Sequence, residues 1–287
     1  MVGLAGDEKN DHLRKLEKAA ENLQLFKVEL LDYNSLHAAI AECNGVFHVA
    51  SPVPADRVAN PEVDIKPAVM GTLNVVRACN EEKVKRVVVV SSAAAIVMNP
   101  NWPKDQPMVE SCWSDEEHCK NLENWYCLSK TAAEIEAFDY AKTVGLDVVS
   151  ICPSITFGPM LQPRLNSSSS LLVKILNDGC ERSLSFVQRV VDVRVVAEAV
   201  LLAYEMPEAE GRYLCSAFMV DTRELVDKLK FIYPNYSPPK KVTAADKVQE
   251  LNCEKLRKLG WTTRPLEQTL AESVQNYLEK GILDPHL

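Results

Sequence analysis

The run Arg86-Val87-Val88-Val89-Val90-Ser91-Ser92 decides how the rest of the chain is read. Four consecutive valines with no polar alternation predict a strand buried on both faces, as in a parallel sheet. The two serines mark its carboxyl end. Working outward, Gly45 to Ala50 predicts a second buried strand, ending at Ser51-Pro52, and Leu146 to Cys152 a third, ending at Pro153. Residues 63–82 and 122–144 between them predict helices, the first with Pro67 near its first turn or kinking it. Toward the N-terminus, 8–22 carries Leu13 and Leu16 at helical spacing. Leu23–Leu31 predicts a strand, and Asn34 or Ser35 caps a short helix over 36–43. Toward the C-terminus, helices are expected near 167–178, 194–206, 221–232, 245–259 and 264–280, with a strand at Arg212–Ser216. This alternation predicts an α/β fold with a parallel sheet. Ligands of such sheets bind beyond the carboxyl ends of the strands, where Ser51, Ser92 and Ser154 fall.

Composition sets the bounds. The chain has 287 residues, 47% apolar and 25% charged, enough for one large domain or two closely associated ones with a sizeable core. Lys and Arg number 32 against 40 Asp and Glu, a net charge of −8. A nucleic-acid partner needs a basic face and is not expected. No apolar run is long enough for a membrane span, and Met1 to Lys18 lacks the apolar core of a secretory signal. Nine cysteines are spread singly without a CxxC, which reads as reduced thiols in a cytoplasmic protein. Cys112 and Cys119 are the candidates for pairing if any two are. The five histidines form no metal-ligand spacing, so no metal is expected.

Tyr126-Cys127-Leu128-Ser129-Lys130 places a phenol and an ammonium four apart on one helix face. A nearby cation favours the phenolate and lowers the Tyr pKa, which makes Tyr126 a usable acid at neutral pH. Ser92, 34 residues upstream, offers a hydroxyl to a substrate oxygen shared with the phenol. On spacing alone, a half-buried Tyr beside a surface Lys is the plainer reading, and Ser92 tips it toward catalysis. A second YxxxK, Tyr236 to Lys240, contains Pro238 and Pro239 and reads as a solvated loop.

Seven stretches in order carry a resemblance: GVFHVASPVPA (45–55), KPAVMGTLNVVRACN (66–80), RVVVVSSAAAIVM (86–98), ESCWSDE (110–116), NWYCLSKT (124–131), CPSITFGPM (152–160) and VDVRV (191–195). The chain resembles the extended short-chain dehydrogenase/reductases, and within them the plant cinnamoyl-CoA reductase and dihydroflavonol reductase group. The resemblance implies a cytoplasmic reductase that uses NADPH on a small aromatic substrate, with no membrane partner, as a monomer or weak dimer. Tyr126 would protonate the carbonyl oxygen, Lys130 would lower the Tyr pKa and bind the nicotinamide ribose, and Ser92 would polarise the carbonyl. Glu29 and Leu30 would lie near the adenine, and Ala50, Ser51 and Pro52 would line the cofactor. Pro153 would contact the nicotinamide end, with Ser168 on the pyrophosphate side. It also implies a Rossmann-like domain over 1–153 plus about 190–216, with a small substrate-binding region from 154–189 and 217–287.

The sequence departs from that pattern. A dinucleotide fold opens with a glycine-rich turn that lets backbone approach the pyrophosphate. No GxGxxG or GxxGxxG occurs among the ten glycines, and Gly3 and Gly6 give only a GxxG echo. By resemblance, Asp7 to Asn10 follows the family's second strand, so about 35 residues with the first two strands and the glycine loop are expected to be missing. Leu23–Leu31 would be strand 3 and Gly45–Ala50 strand 4, left without the two that separate them in the order 3-2-1-4-5-6. Marginal stability and weak cofactor binding follow, and a catalytically impaired relative or binding protein is the alternative reading. Leu171 stands where cinnamoyl-CoA reductases carry a His three residues before a Lys (here Lys174), which puts the CoA-side contact in doubt. Ala94 and Val195 replace a usual Gly and Asp. Trp102, Trp113 and Trp125 would wall an aromatic pocket, or simply pack.

Overall fold

The computed structural model describes residues 10–52, 61–177, 183–184, 187–233, 236, 241–242 and 248–284. Elements run α1 (Asp11–Arg14), α2 (Ala19–Asn22), α3 (Tyr33–Ile40), β1 (Gly45–His48), α4 (Pro61–Glu81), β2 (Arg86–Val90), α5 (Glu116–Asn121), α6 (Trp125–Val144), β3 (Val148–Pro153) and β4 (Ile155–Phe157). They continue α7 (Ser167–Asn177), β5 (Ser183–Leu184), β6 (Val187–Asp192), α8 (Val193–Glu205), β7 (Gly211–Cys215), β8 (Phe218–Asp221), α9 (Thr222–Ile232), β9 (Lys241–Val242), α10 (Glu254–Lys258) and α11 (Leu266–Glu279). The chain divides into two compact units. One holds 1–103, 108–152 and 200–214, the other 104–107, 153–199 and 215–287. Residues 190–199, expected with the first, fall in the second, because β6 pairs there with β4 and β8.

In the first unit a four-stranded sheet runs β1-β2-β3-β7. β1 and β3 both pair with β2 in parallel, Val46 opposite Val87 and Val88 opposite Val149. Val87, Val88 and Val149 are fully buried, as the valine run predicted. Helix α6 starts where the Asn124 side chain accepts from the Cys127 N–H at 3.2 Å, and stops at Gly145 with φ 72°, a left-handed cap that favours glycine. α6 packs along α4. Gly45 opens β1 because Tyr204 leaves no room: a Cβ there would lie 2.1 Å from its ring.

Three expectations fail in the N-terminal part. The helix over 8–22 is two single turns, interrupted at Lys18 with φ 59°. The cap of α3 is Asp32, which accepts from the Ser35 N–H at 3.3 Å, rather than Asn34 or Ser35. Leu23–Leu31 forms no strand beyond a single bridge residue at Val28. A strand is stable only in a ladder, and among the described residues β1 ends the sheet with no partner on its outer side. Leu23, Phe26, Leu31, Phe47 and Val49 are exposed.

The second unit has a three-stranded sheet, β4-β6-β8, parallel between β4 and β6 and antiparallel between β6 and β8. Its core gathers Phe157, Leu172, Leu225, Leu229, Leu270 and Tyr277. Of the helix expected over 245–259, only Glu254–Lys258 is helical, with 245–247 outside the described residues. Tyr236 is no solvated loop residue: it is buried and its hydroxyl donates to the Ile175 carbonyl at 3.0 Å, while Lys240 lies outside the described residues.

Candidate active site

The first unit brings Ser92, Tyr126 and Lys130 to the carboxyl end of β2. Ser92 leaves the strand in extended conformation and caps the single 3-10 turn Ala93–Ala95, accepting from the Ala94 N–H at 3.1 Å. Its hydroxyl also lies close enough to the Tyr126 phenol to favour the phenolate. Burial pushes the phenol pKa up and outweighs that influence. The lowering by Lys130 expected from the spacing is therefore not what the chain alone gives, because removal from water penalises the phenolate. Tyr126 is a neutral phenol, charged with its proton.

Lys130 is only 8% exposed. Burial pushes its ammonium down to about 8, with Glu134 and Cys152 opposing. Among the described residues its Nζ has neither a hydrogen-bond acceptor nor a carboxylate at ion-pair distance. A buried ammonium without acceptors is costly. Lys130 lines a narrow concavity with His48, Ser51, Thr72 and Ser91. Oxygen-rich groups such as a ribose diol suit the ammonium donors of Lys130.

His48 closes the concavity from β1. It is 6% exposed, and its Nε2 lies 3.0 Å from Thr72 Oγ1. Burial first, then the charge of Lys130, push its pKa down to about 4. An unfolded His titrates near 6.5, so between about 6.5 and 4 the unfolded chain binds the extra proton. The stability His48 contributes is complete above about 6.5 and lost as pH falls toward 4, on the order of 3 kcal/mol. Replacing His48 by Gln is expected to reduce the loss of urea stability between pH 7 and 5. An identical loss in variant and wild type would assign the acid sensitivity elsewhere.

The other expected cofactor residues divide. Ser51 lines the Lys130 concavity with the exposed Ala50, and Pro52 is half-buried beside them. Glu29 and Leu30 do not line it. The Glu29 N–H donates to Ser35 Oγ at 3.2 Å, and the Leu30 carbonyl accepts from Asn74 at 3.0 Å, which ties this loop to α4. Pro153 and Ser168 belong to the second unit. Ser168 Oγ accepts from the Thr156 N–H at 3.3 Å, and the buried Ser154 hydroxyl has no partner among the described residues. Leu171 packs on the second unit's core and Lys174 is exposed. Arg194 pairs with Asp192 at 2.6 Å and with Glu272. Cys112 and Cys119 form no disulfide with each other. Trp125 packs beside Cys119 and Cys127, and Trp113 lies under the Arg212 guanidinium at 3.3 Å. No group of three or more metal-ligating side chains occurs among the described residues, and no described helix is long and apolar enough to cross a membrane. The second unit carries a cleft of about 270 Å3 bordered by Arg189, Ser216, Phe218 and Glu250, none of which stood out in the sequence.

Comparison with known proteins places this geometry. The profile of the NAD dependent epimerase/dehydratase family matches residues 2–214. The chain belongs to that family. As a member of the NAD dependent epimerase/dehydratase family it is an oxidoreductase that takes a nicotinamide cofactor. It is 43% identical over 281 residues to cinnamoyl-CoA reductase 1 of Petunia hybrida, covering 96% of this chain and 83% of that one. Vestitone reductase from alfalfa superposes with a TM-score of 0.83 at 30% identity, over 95% of this chain and 88% of the other. Yeast methylglyoxal/isovaleraldehyde reductase Gre2, solved with NADPH, gives 0.81 at 25% identity, over 96% and 90%. The α/β fold and parallel sheet are those of Rossmann-like reductases.

Proposed function

We propose that this chain reduces an aromatic, phenylpropanoid-type carbonyl with NADPH, using Tyr126, Lys130 and Ser92. The observation that carries the reading is a buried Tyr126 phenol near Ser92, with the buried Lys130 ammonium one turn further along α6. NADPH, when bound, supplies the hydride to the carbonyl carbon. Tyr126 gives its phenolic proton to the carbonyl oxygen, and its raised pKa keeps that proton in place at neutral pH. Ser92 shares the same oxygen as a hydrogen-bond donor. Lys130 holds ribose hydroxyls and places a positive charge behind the phenolate that forms. The similarity to a cinnamoyl-CoA reductase supports the substrate class and the NADPH-bound neighbour supports NADP.

The alternative is a binding protein or an impaired enzyme on the same fold. Calorimetry with NADPH beside a melting curve separates the two. Micromolar binding with a raised Tm is expected. A folded protein that binds neither NADPH nor NADP would overturn the reductase reading for this chain.

A further inference from the structure

Behind the site lies a polar cluster that the hydride and proton transfers leave unused. Tyr126, Lys130 and Glu134 follow one another at intervals of four along α6, so they share one helix face. Glu134 is 2% exposed, yet its carboxylate is fully satisfied. Its Oε2 accepts from Ser91 Oγ at 2.7 Å and from Arg212 Nη2 at 3.2 Å. Its Oε1 accepts from Ser150 Oγ at 2.5 Å, Arg212 Nε at 3.0 Å and Cys152 Sγ at 3.4 Å. One carboxylate thus joins α6 to β2, β3 and β7. Arg212 carries the connection onward. It donates to the carbonyls of Glu110 at 2.9 Å, Cys112 at 2.7 Å and Ala95 at 3.3 Å. Ala95 ends the turn that Ser92 caps.

A buried ion pair is poor value for stability, because apolar residues of the same volume often serve as well or better. Its retention beneath this site calls for another role. The neighbours of Lys130 show which. His48 from β1 is neutral, the Cys152 thiol from β3 is held protonated by burial, and Tyr126 on its own helix is a neutral phenol. That leaves the carboxylate of Glu134 as the negative charge acting on Lys130, with the Arg212 cation from β7 bound to the same carboxylate.

Building on the reductase reading, we propose that Glu134 is a positioning residue of this site. Its carboxylate, shared among Arg212, Ser91 and Ser150, seats the Ser92 turn against α6 and supplies the counter-charge of Lys130.

The pair makes opposed demands on Lys130, and this gives the test. Replacing Glu134 by Gln leaves the Arg212 cation uncompensated near Lys130. Replacing Arg212 by Gln leaves the Glu134 charge undivided. The Lys130 midpoint is read by 13C NMR of lysine-labelled full chain, its resonance assigned by its loss in Lys130→Arg. Starting from about 8, the midpoint is expected to fall by about one pH unit in Glu134→Gln and to rise in Arg212→Gln. The alkaline limb of kcat/KM moves with it in each variant, with kcat changed more than the KM for carbonyl substrate. Packing loss alone produces no opposed shifts. If only one variant folds, the sign of its shift decides. Unmoved midpoints, or shifts of the same sign, would overturn the proposal. The NMR readout needs no turnover, so a wild-type chain that reduces no aromatic carbonyl would sink the reductase reading separately.

Discussion

Replacing Tyr126 by Phe lowers kcat for the aromatic carbonyl by roughly 10²- to 10⁴-fold, the span expected on removing a general acid. The ring stays, so the half-buried space at the start of α6 stays filled. What disappears is the hydroxyl that lies near Ser92. The phenol is neutral in the folded chain because burial disfavours the phenolate. The substitution therefore removes a proton donor without removing a charge. Tm and NADPH affinity should change little, since Lys130 and Ser51 are untouched. Steady-state kinetics beside calorimetry check this directly. Retained wild-type turnover would take Tyr126 out of the mechanism, and a parallel loss of NADPH binding would make its role structural. Ser92→Ala is expected to cost less, because the phenol still reaches the carbonyl oxygen.

What could be read from the sequence was local or periodic. The valine run 86–90 reported burial on both faces, and the βα alternation reported the parallel sheet of the first unit. Tyr126 and Lys130 are one helical turn apart, and Ser92 ends a recognisable strand, so the site's main groups were visible before any fold was known. Properties that belong to pairs of distant segments were not visible. Leu23–Leu31 has strand-like composition but finds no ladder among the described residues. The short strands β4, β6 and β8 fall outside every strand expected from the sequence. The direction of the Tyr126 shift depends on burial, which spacing on a helix does not report. Glu134 and Arg212 lie 78 positions apart, with no motif joining them. One signal was available: Glu134 extends the four-residue spacing of Tyr126 and Lys130, placing a carboxylate on a face with no obvious partner.

That missed pair predicts the largest stability effect in the molecule. Arg212→Leu is expected to destabilise the chain by about 3–5 kcal/mol. The loss has two parts. Glu134, 2% exposed, loses the cation that held it, and among the described residues Ser91, Ser150 and Cys152 remain to donate. The carbonyls of Glu110 and Cys112 lose the guanidinium in the same step, and an unsatisfied buried acceptor costs about 1–3 kcal/mol. The stacked contact with Trp113 goes too. Glu134→Leu in the same chain removes the orphaned carboxylate, so the double variant should be more stable than Arg212→Leu alone. Urea denaturation of the four proteins closes the cycle. A double variant as unstable as the sum of its singles would mean that the two side chains stabilise the fold independently. A recovery would mean that the cost of either single change is mainly that of a buried charge left alone, and that the ion pair is kept for the geometry it imposes around Ser92 rather than for the stability it adds.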